Sequence, residues 1–128
     1  MKYINKKLTI EKMSVQNIAN KYGTPAYCYS YRQLKENINN FKKSFRSFSP
    51  LICFAVKSNA NLNLIREIKK FGLGADVVSI GELMIALKAG INPKKIVFSG
   101  VGKTSNEISY AIDKKILLIN AESKSEII

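Results

Sequence analysis

The sequence predicts an α/β fold with parallel strands, and its periodic organisation supports that class. Short apolar runs begin near residues 26, 51, 74, 96 and 117, so one unit recurs every 21 to 25 residues. A helical segment follows each of the first four runs, and a helical crossover returns the chain to the same end of the sheet. The 128 residues can bury a core. Two architectures satisfy these observations, namely an open doubly wound sheet and part of an eight-stranded barrel.

The segment before the first unit contains a short extended stretch at residues 8–10 and one helix. Ser14 caps this helix, which runs through Tyr22, and Gly23 ends it. Pro25 then returns the chain to an extended form. We therefore divide the chain into an N-terminal strand and helix at residues 1–25 and the repeating units at residues 26–128.

The repeating units alternate strands and helices in strict order. Apolar runs predict strands at residues 26–30, 51–56, 74–78, 96–98 and 117–120. Apolar residues spaced three and four apart, together with cap residues, predict helices at residues 33–45, 62–71, 80–88 and 105–113. Two of these helices begin with a capping-box pattern, Ser79 with Glu82 and Thr104 with Glu107. Ser123 begins a last helix that is not completed.

Composition and charge narrow the function classes. There are 21 Lys and Arg residues against 9 Asp and Glu, a net charge of +12, but the lysines are spread singly and in pairs, which disfavours nucleic acid as a partner.

Cys28 and Cys53 form no ligand pattern and there is no histidine, so we expect no metal site and reduced, buried cysteines. The longest apolar run has six residues, which predicts no signal peptide, no membrane span and a cytoplasmic location.

Lys57 is the sharpest candidate for chemistry. Alternation along residues 51–56 places Ile52, Phe54 and Val56 on a bulky face and the small Cys53 and Ala55 on the face of Lys57. Lys57 is therefore expected at the carboxyl end of a central strand, where both candidate architectures place their active sites, with room above the strand for a ligand. The alternative is a lysine that extends from the strand end into solvent.

Asp76 occupies the matching end of the next strand. A carboxylate in an apolar strand is costly to bury alone, so a cation or hydrogen-bond donor is expected nearby. A structural pairing with a lysine or a backbone amide would also satisfy this requirement.

The loop from Ser99 to Thr104 reads Ser-Gly-Val-Gly-Lys-Thr, but it matches neither nucleotide-binding pattern. The phosphate-loop motif requires glycine where Val97 stands, and the dinucleotide motif requires glycine where Ser105 stands. A flexible strand-to-helix loop remains, at best a generic anion site.

Several motifs, in order from Tyr22 onward, resemble the amino-terminal part of the diaminopimelate decarboxylase family. The residues that carry the resemblance are Tyr22-Gly23-Thr24-Pro25-Ala26-Tyr27, Phe54-Ala55-Val56-Lys57-Ser58-Asn59, Gly74-Ala75-Asp76-Val77-Val78-Ser79, Gly81-Glu82-Leu83, Ala89-Gly90, Ile96 through Thr104, and Glu122-Ser123. Ornithine and carboxynorspermidine decarboxylases are similar more loosely. Ser58 and Ile80 depart from the commoner family residues, without affecting the lysine.

The resemblance implies an enzyme that uses pyridoxal 5'-phosphate and has an alanine-racemase-like (β/α)8 barrel, which favours the barrel over the open sheet. Residues 26–128 would be an incomplete barrel domain of about five parallel βα units. Lys57 would be the Schiff-base lysine, and Asp76 would lie close to the cofactor. The reaction would be decarboxylation of meso-diaminopimelate to L-lysine in lysine biosynthesis, by a family that forms homodimers.

The resemblance also implies missing parts. The family places a histidine on the cofactor ring, binds the phosphate with a later glycine-rich loop and adds a β-rich second domain, whereas this sequence has no histidine. We therefore expect a fragment that is inactive alone, with unpaired outer strands that promote association. A gene remnant and one half of a split enzyme are the alternatives.

Overall fold

The computed structural model describes residues 1–127, which form two compact units, one from Met1 to Ser49 and one that begins at Pro50. The first unit contains three antiparallel strands and two helices. The strands are β1 (Lys2–Ile4), β2 (Lys7–Ile10) and β3 (Met13–Ser14), and the helices are α1 (Val15–Tyr22) and α2 (Tyr31–Ser44). The predicted division after residue 25 marks the end of the N-terminal sheet and α1, and the boundaries of the proposed domains stay a prediction.

The N-terminal sheet is larger than the sequence pattern indicated, since only residues 8–10 were expected to be extended. Asn5 and Lys6 both have positive φ, 48° and 62°, and join β1 to β2 in a tight turn. This pairing sets Lys2 opposite Thr9, whose hydroxyl donates to the Lys2 carbonyl over 2.9 Å. All three residues of β1 are exposed, so no buried apolar pattern marks this strand, and only the turn and its partner strand define it.

Helix α1 has the predicted limits. The Ser14 hydroxyl accepts a hydrogen bond from the Asn17 N–H at 3.1 Å, and Gly23, with φ of 80°, closes the other end. Both ends are therefore determined by local side-chain and backbone chemistry.

The strand predicted at residues 26–30 is wrong. This segment pairs with no strand in the described part of the chain, and Tyr27 is 92% exposed. Its alternation of small and aromatic residues is compatible with a strand, but a strand forms only where a neighbour pairs its backbone. Ser30 instead caps α2, which begins at Tyr31.

The second unit is a parallel sheet of four strands covered by helices. Its strands are β4 (Cys53–Ala55), β5 (Gly74–Val77), β6 (Ile96–Phe98) and β7 (Leu118–Ile119). Its helices are α3 (Leu62–Lys70), α4 (Ile80–Lys88) and α5 (Ser105–Asp113), with short 3₁₀ turns at Val56–Ser58, Pro93–Lys95 and Lys124–Glu126. The last of these replaces the helix predicted after Ser123. The other elements agree with the prediction to within two residues at each end.

The strand order is β4-β5-β6-β7, with every described pair parallel. A doubly wound sheet reverses its strand order at a switch point, whereas a barrel adds each strand beside the previous one. The order found here is the barrel order. Since residues 26–30 do not pair, the sheet has four strands in the described residues rather than five, and β4 is an edge strand rather than a central one.

One face of the sheet carries the core. Alternate residues of the strands are fully buried against the helices, among them Ala75, Val77, Ile96 and Phe98. From the helices, Ile65, Leu83 and Ala111 belong to the same cluster. The opposite face is only partly buried, which leaves it available for a ligand. None of the helices within residues 1–127 has the length and apolar character needed to cross a membrane.

Candidate active site

Lys57 lies immediately beyond the carboxyl end of β4, in the turn Val56–Ser58. Val56 is completely buried in the core, whereas Lys57 is exposed. The Ser58 hydroxyl donates to the Ala55 carbonyl at 2.7 Å, and the Asn59 N–H donates to the Val56 carbonyl at 3.0 Å. The lysine is therefore carried by a turn whose backbone is fixed on both sides.

Asp76 lies in the neighbouring strand, directly opposite Ala55 in the register. Its neighbours Ala75 and Val77 point into the core, so Asp76 lies on the other face. Adjacent strands lie about 4.8 Å apart, which brings the turn that carries Lys57 close to Asp76. Lys57 and Asp76, the two residues selected from the sequence, therefore lie near the carboxyl ends of two neighbouring strands of one sheet.

The Asp76 side chain has an unusual environment. Its Oδ1 atom is buried and has no hydrogen-bond partner among the described residues. Pairing with a lysine or a backbone amide, the structural alternative considered from the sequence, therefore does not occur at Oδ1 in that part of the chain. An unpaired buried acceptor is costly, and it marks a place where a donor is missing.

Small residues lie beside this carboxylate on the β4 side. Cys53 and Ala55 precede the lysine on β4, and Gly74 lies opposite Cys53. Burial of the Cys53 thiol, and after it the negative charge of Asp76, raises the pKa of that thiol. Cys53 and Asp76 therefore interact across one face of the sheet, on the side of Asp76 away from Val97.

Gly74 is needed for this packing. A Cβ atom at this position would overlap the carbonyl oxygen of Lys95 and would lie 2.9 Å from the Cys53 sulfur. Sequence reasoning missed this requirement because the close approach involves a residue 21 positions away, and no local signal reports it.

Two carboxylates fix the chain just beyond Asp76. Glu82 accepts a hydrogen bond from the Val78 N–H at 3.0 Å, and Glu107 accepts one from the Ile80 N–H at 3.0 Å. The predicted capping box at Ser79 forms only in part, because Glu82 reaches Val78 rather than the cap residue itself. The box between Thr104 and Glu107 is complete, as predicted.

A parallel sheet with its strands in sequential order, a lysine just beyond the end of one strand and, among the described residues, a buried carboxylate oxygen without a partner in the next strand is typical of part of a barrel that binds ligands at its strand ends. The family model described as "Pyridoxal-dependent decarboxylase, pyridoxal binding domain" matches residues 31–128. The chain therefore belongs to the pyridoxal-dependent decarboxylase family.

Its relatives point to one member of that family. Diaminopimelate decarboxylase of Aquifex aeolicus is 44% identical over 127 residues, which cover 99% of this chain and 30% of the relative. The Vibrio cholerae enzyme of the same name is 44% identical over 120 residues, covering 94% and 29%. This chain thus spans about 30% of the length of these curated relatives.

Solved structures agree with the sequence comparison. Diaminopimelate decarboxylase from M. jannaschii, in complex with L-lysine, superposes with a TM-score of 0.95 at 37% identity, covering 98% of this chain and 30% of that one. The Helicobacter pylori enzyme, also complexed with L-lysine, has a TM-score of 0.83 at 43% identity, covering 88% and 28%. The expected alanine-racemase-like barrel is confirmed as the fold to which this partial sheet belongs, and pyridoxal phosphate as the cofactor of the family.

Proposed function

We propose that this chain carries the cofactor-binding lysine of a diaminopimelate decarboxylase. The reaction is the removal of one carboxylate of meso-diaminopimelate as carbon dioxide, with a proton taking its place on the carbon, to leave L-lysine. The names of the relatives, and the L-lysine bound in two of the solved structures, support this substrate.

The observation that carries the proposal is the pairing of Ala55 with Asp76. This register sets the turn that carries Lys57 close to Asp76, and Asp76 lies on the sheet face opposite the helix-covered core. Parallel barrels bind their substrates at this edge because the strand ends and their loops converge there.

The residues present fit the aldehyde end of pyridoxal phosphate. Lys57 offers a primary amine that would bond to the aldehyde carbon with release of water, and the buried Asp76 Oδ1, which has no partner among the described residues, offers an acceptor in the neighbouring strand. When bound, the cofactor supplies an electron sink for the pair left behind by the departing carboxylate.

The protein residues have distinct roles under this proposal. Lys57 would hold the cofactor through its neutral amine, and when not bonded to the cofactor this amine would carry a proton within the site. Asp76 would offer a hydrogen-bond acceptor to a donor group bound at this end of the sheet. Cys53, Ala55 and Gly74 keep the space beside these groups open.

For such an enzyme we also propose the ligand, the assembly and the location in the cell. The ligand is a small amino acid, the active assembly is a homodimer, and the enzyme works in the cytoplasm. Lysine biosynthesis is the route to which this reaction belongs.

The lysine is tested by trapping the cofactor on this chain. The purified protein is mixed with pyridoxal phosphate, reduced with borohydride and digested, and the labelled peptides are identified by mass spectrometry. We expect the label on Lys57 and its loss in Lys57→Ala. The matched control is Lys88→Ala, since Lys88 is also exposed and lies in the same unit. A label that is spread over many lysines and is unchanged in Lys57→Ala would contradict the proposal.

A further inference from the structure

A buried ion pair closes the loop that follows β6. The Lys103 ammonium lies 2.9 Å from the Glu126 carboxylate, and the two side chains are only 1% and 8% exposed. The side chains of another ion pair, Lys70 with Glu67, are 65% and 30% exposed. Two opposite charges taken out of water add little net stability, and their best attested use is to enforce one geometry.

Lys103 and Glu126 each have a second hydrogen-bond partner, so the ion pair joins two segments of the chain. The Lys103 ammonium also donates to the carbonyl of Gly100, within its own loop. The Glu126 carboxylate also accepts from the Glu122 N–H at 3.0 Å. These contacts bind the turn that follows β7 to the loop that follows β6.

The loop held in this way lies on the end of β5. Gly100 has a φ of +96°, and a Cβ atom there would be 3.2 Å from the Cβ of Val78, so its backbone lies against that side chain. The Ser99 N–H donates to the Val77 carbonyl at 2.8 Å. Val77 and Val78 directly follow Asp76, the carboxylate of the candidate site.

We propose that Lys103 and Glu126 are positioning residues, whose buried ion pair holds Gly100 against Val78 and so keeps the end of β5, with Asp76, in place beside Lys57. This inference rests on the proposed function. It also gives the Gly-Val-Gly-Lys sequence a role other than phosphate binding, because the Lys103 ammonium is occupied within the protein.

The test removes both charges together. The double variant Lys103→Met and Glu126→Leu leaves no buried charge unpaired, so the unit is expected to fold. Lys70→Met with Glu67→Leu is the matched control, an ion pair of similar length on α3. The isosteric Glu126→Gln is a second variant, should the double variant not fold by circular dichroism.

Two measurements are made on the full 128-residue chain. Hydrogen exchange by mass spectrometry reports on the loop at residues 99–103, and borohydride trapping reports the rate at which pyridoxal phosphate labels Lys57. In the double variant we expect loop exchange to rise about tenfold and the Lys57 labelling rate to fall about tenfold, with both unchanged in the control.

The outcomes separate the two proposals. Normal wild-type labelling that stays unchanged in a double variant with a loosened loop would overturn the positioning role and leave the proposed function intact. Unchanged loop exchange would also overturn it, since the ion pair would then not fix the loop. A wild-type chain that fails to label at Lys57 would overturn the proposed function, and the role of the pair toward that site with it.

Discussion

At the scale of single residues, the interaction between Asp76 and Cys53 offers a direct measure of the candidate site. Burial disfavours the thiolate most, and the carboxylate charge of Asp76 disfavours it further, so both raise the pKa of the thiol. The effect of Asp76 on Cys53 thus reports whether the carboxylate lies where the register places it.

We expect Asp76→Asn to lower the pKa of Cys53 without returning it to the ordinary value, because burial remains. The measurement is the pH dependence of thiol alkylation in a Cys28→Ala background, where only Cys53 reacts. Asp113→Asn, which removes an exposed carboxylate at the end of α5, is the control. An identical alkylation profile in Asp76→Asn and its parent would show that the two side chains do not interact.

Residues differ in how far their roles could be predicted. Lys57 could be placed at a strand end because alternation and small neighbours are visible in a run of six residues. The lack of a hydrogen-bond partner at Asp76 Oδ1, seen among the described residues, could not be predicted, because it depends on which groups other strands and helices bring near. The ion pair of Lys103 could not be predicted either, because Glu126 lies 23 positions further along the chain.

At the scale of elements, one carboxylate caps two helices. Glu107 accepts hydrogen bonds from the Thr104 N–H at the start of α5 and from the Ile80 N–H at the start of α4, both at 3.0 Å. The hydrogen bond from the Thr104 backbone, followed by that from Ile80, lowers the pKa of Glu107 below its ordinary value near 4.5. The folded state therefore favours the charged form of Glu107.

This shift makes an expected contribution to the pH dependence of stability. Because the pKa is lower in the folded state, the stabilisation is present above the ordinary value and is lost as the pH falls through it toward the folded value. We expect Glu107→Gln to lower the free energy of unfolding by about 1 kcal/mol near neutral pH, since one of two acceptor oxygens becomes a donor.

Thermal unfolding of Glu107→Gln and the parent chain, followed over a series of acidic pH values, measures this contribution. The two curves should converge as the pH falls below the ordinary pKa. Asp113→Asn serves again as the control, because it changes a carboxylate of the same helix at its other end. A difference between Glu107→Gln and the parent that stays constant at all pH values would contradict the assignment.

Helices were predicted more accurately than strands for a physical reason. The limits of α1, α4 and α5 depend on cap residues and apolar spacings within a few positions. The failed strand at residues 26–30 has a suitable pattern, but its stability depends on a partner strand that the described residues do not provide.

At the scale of the whole molecule, the parallel sheet has two outer strands that are each paired on one side only within the described residues. Within the described residues β4 pairs only with β5, and β7 pairs only with β6. Leu118 is 50% exposed and lies opposite Val97, which lies opposite Asp76, so the three share one face. An uncovered edge beside an exposed apolar side chain favours association.

We expect the chain to self-associate with rising concentration, and Leu118→Lys to reduce that association by placing a charge on the uncovered face. Sedimentation velocity over a concentration series measures the effect. Ile112→Lys is the matched control, since Ile112 is 60% exposed on α5, outside the sheet. Equal association in the two variants would show that the sheet face is not the contact surface.

The sequence by itself determined the alternation of helices and parallel strands, the helix caps and the position of Lys57 after a strand, because these depend on interactions among residues close together in the chain. Only the tertiary structure decided three features of residues 1–127: four strands pair in barrel order, Asp76 Oδ1 is buried without a partner, and Lys103 is buried against Glu126. Those features arise where segments distant in sequence meet, and the burial and pairing of a polar group depend on both segments at once.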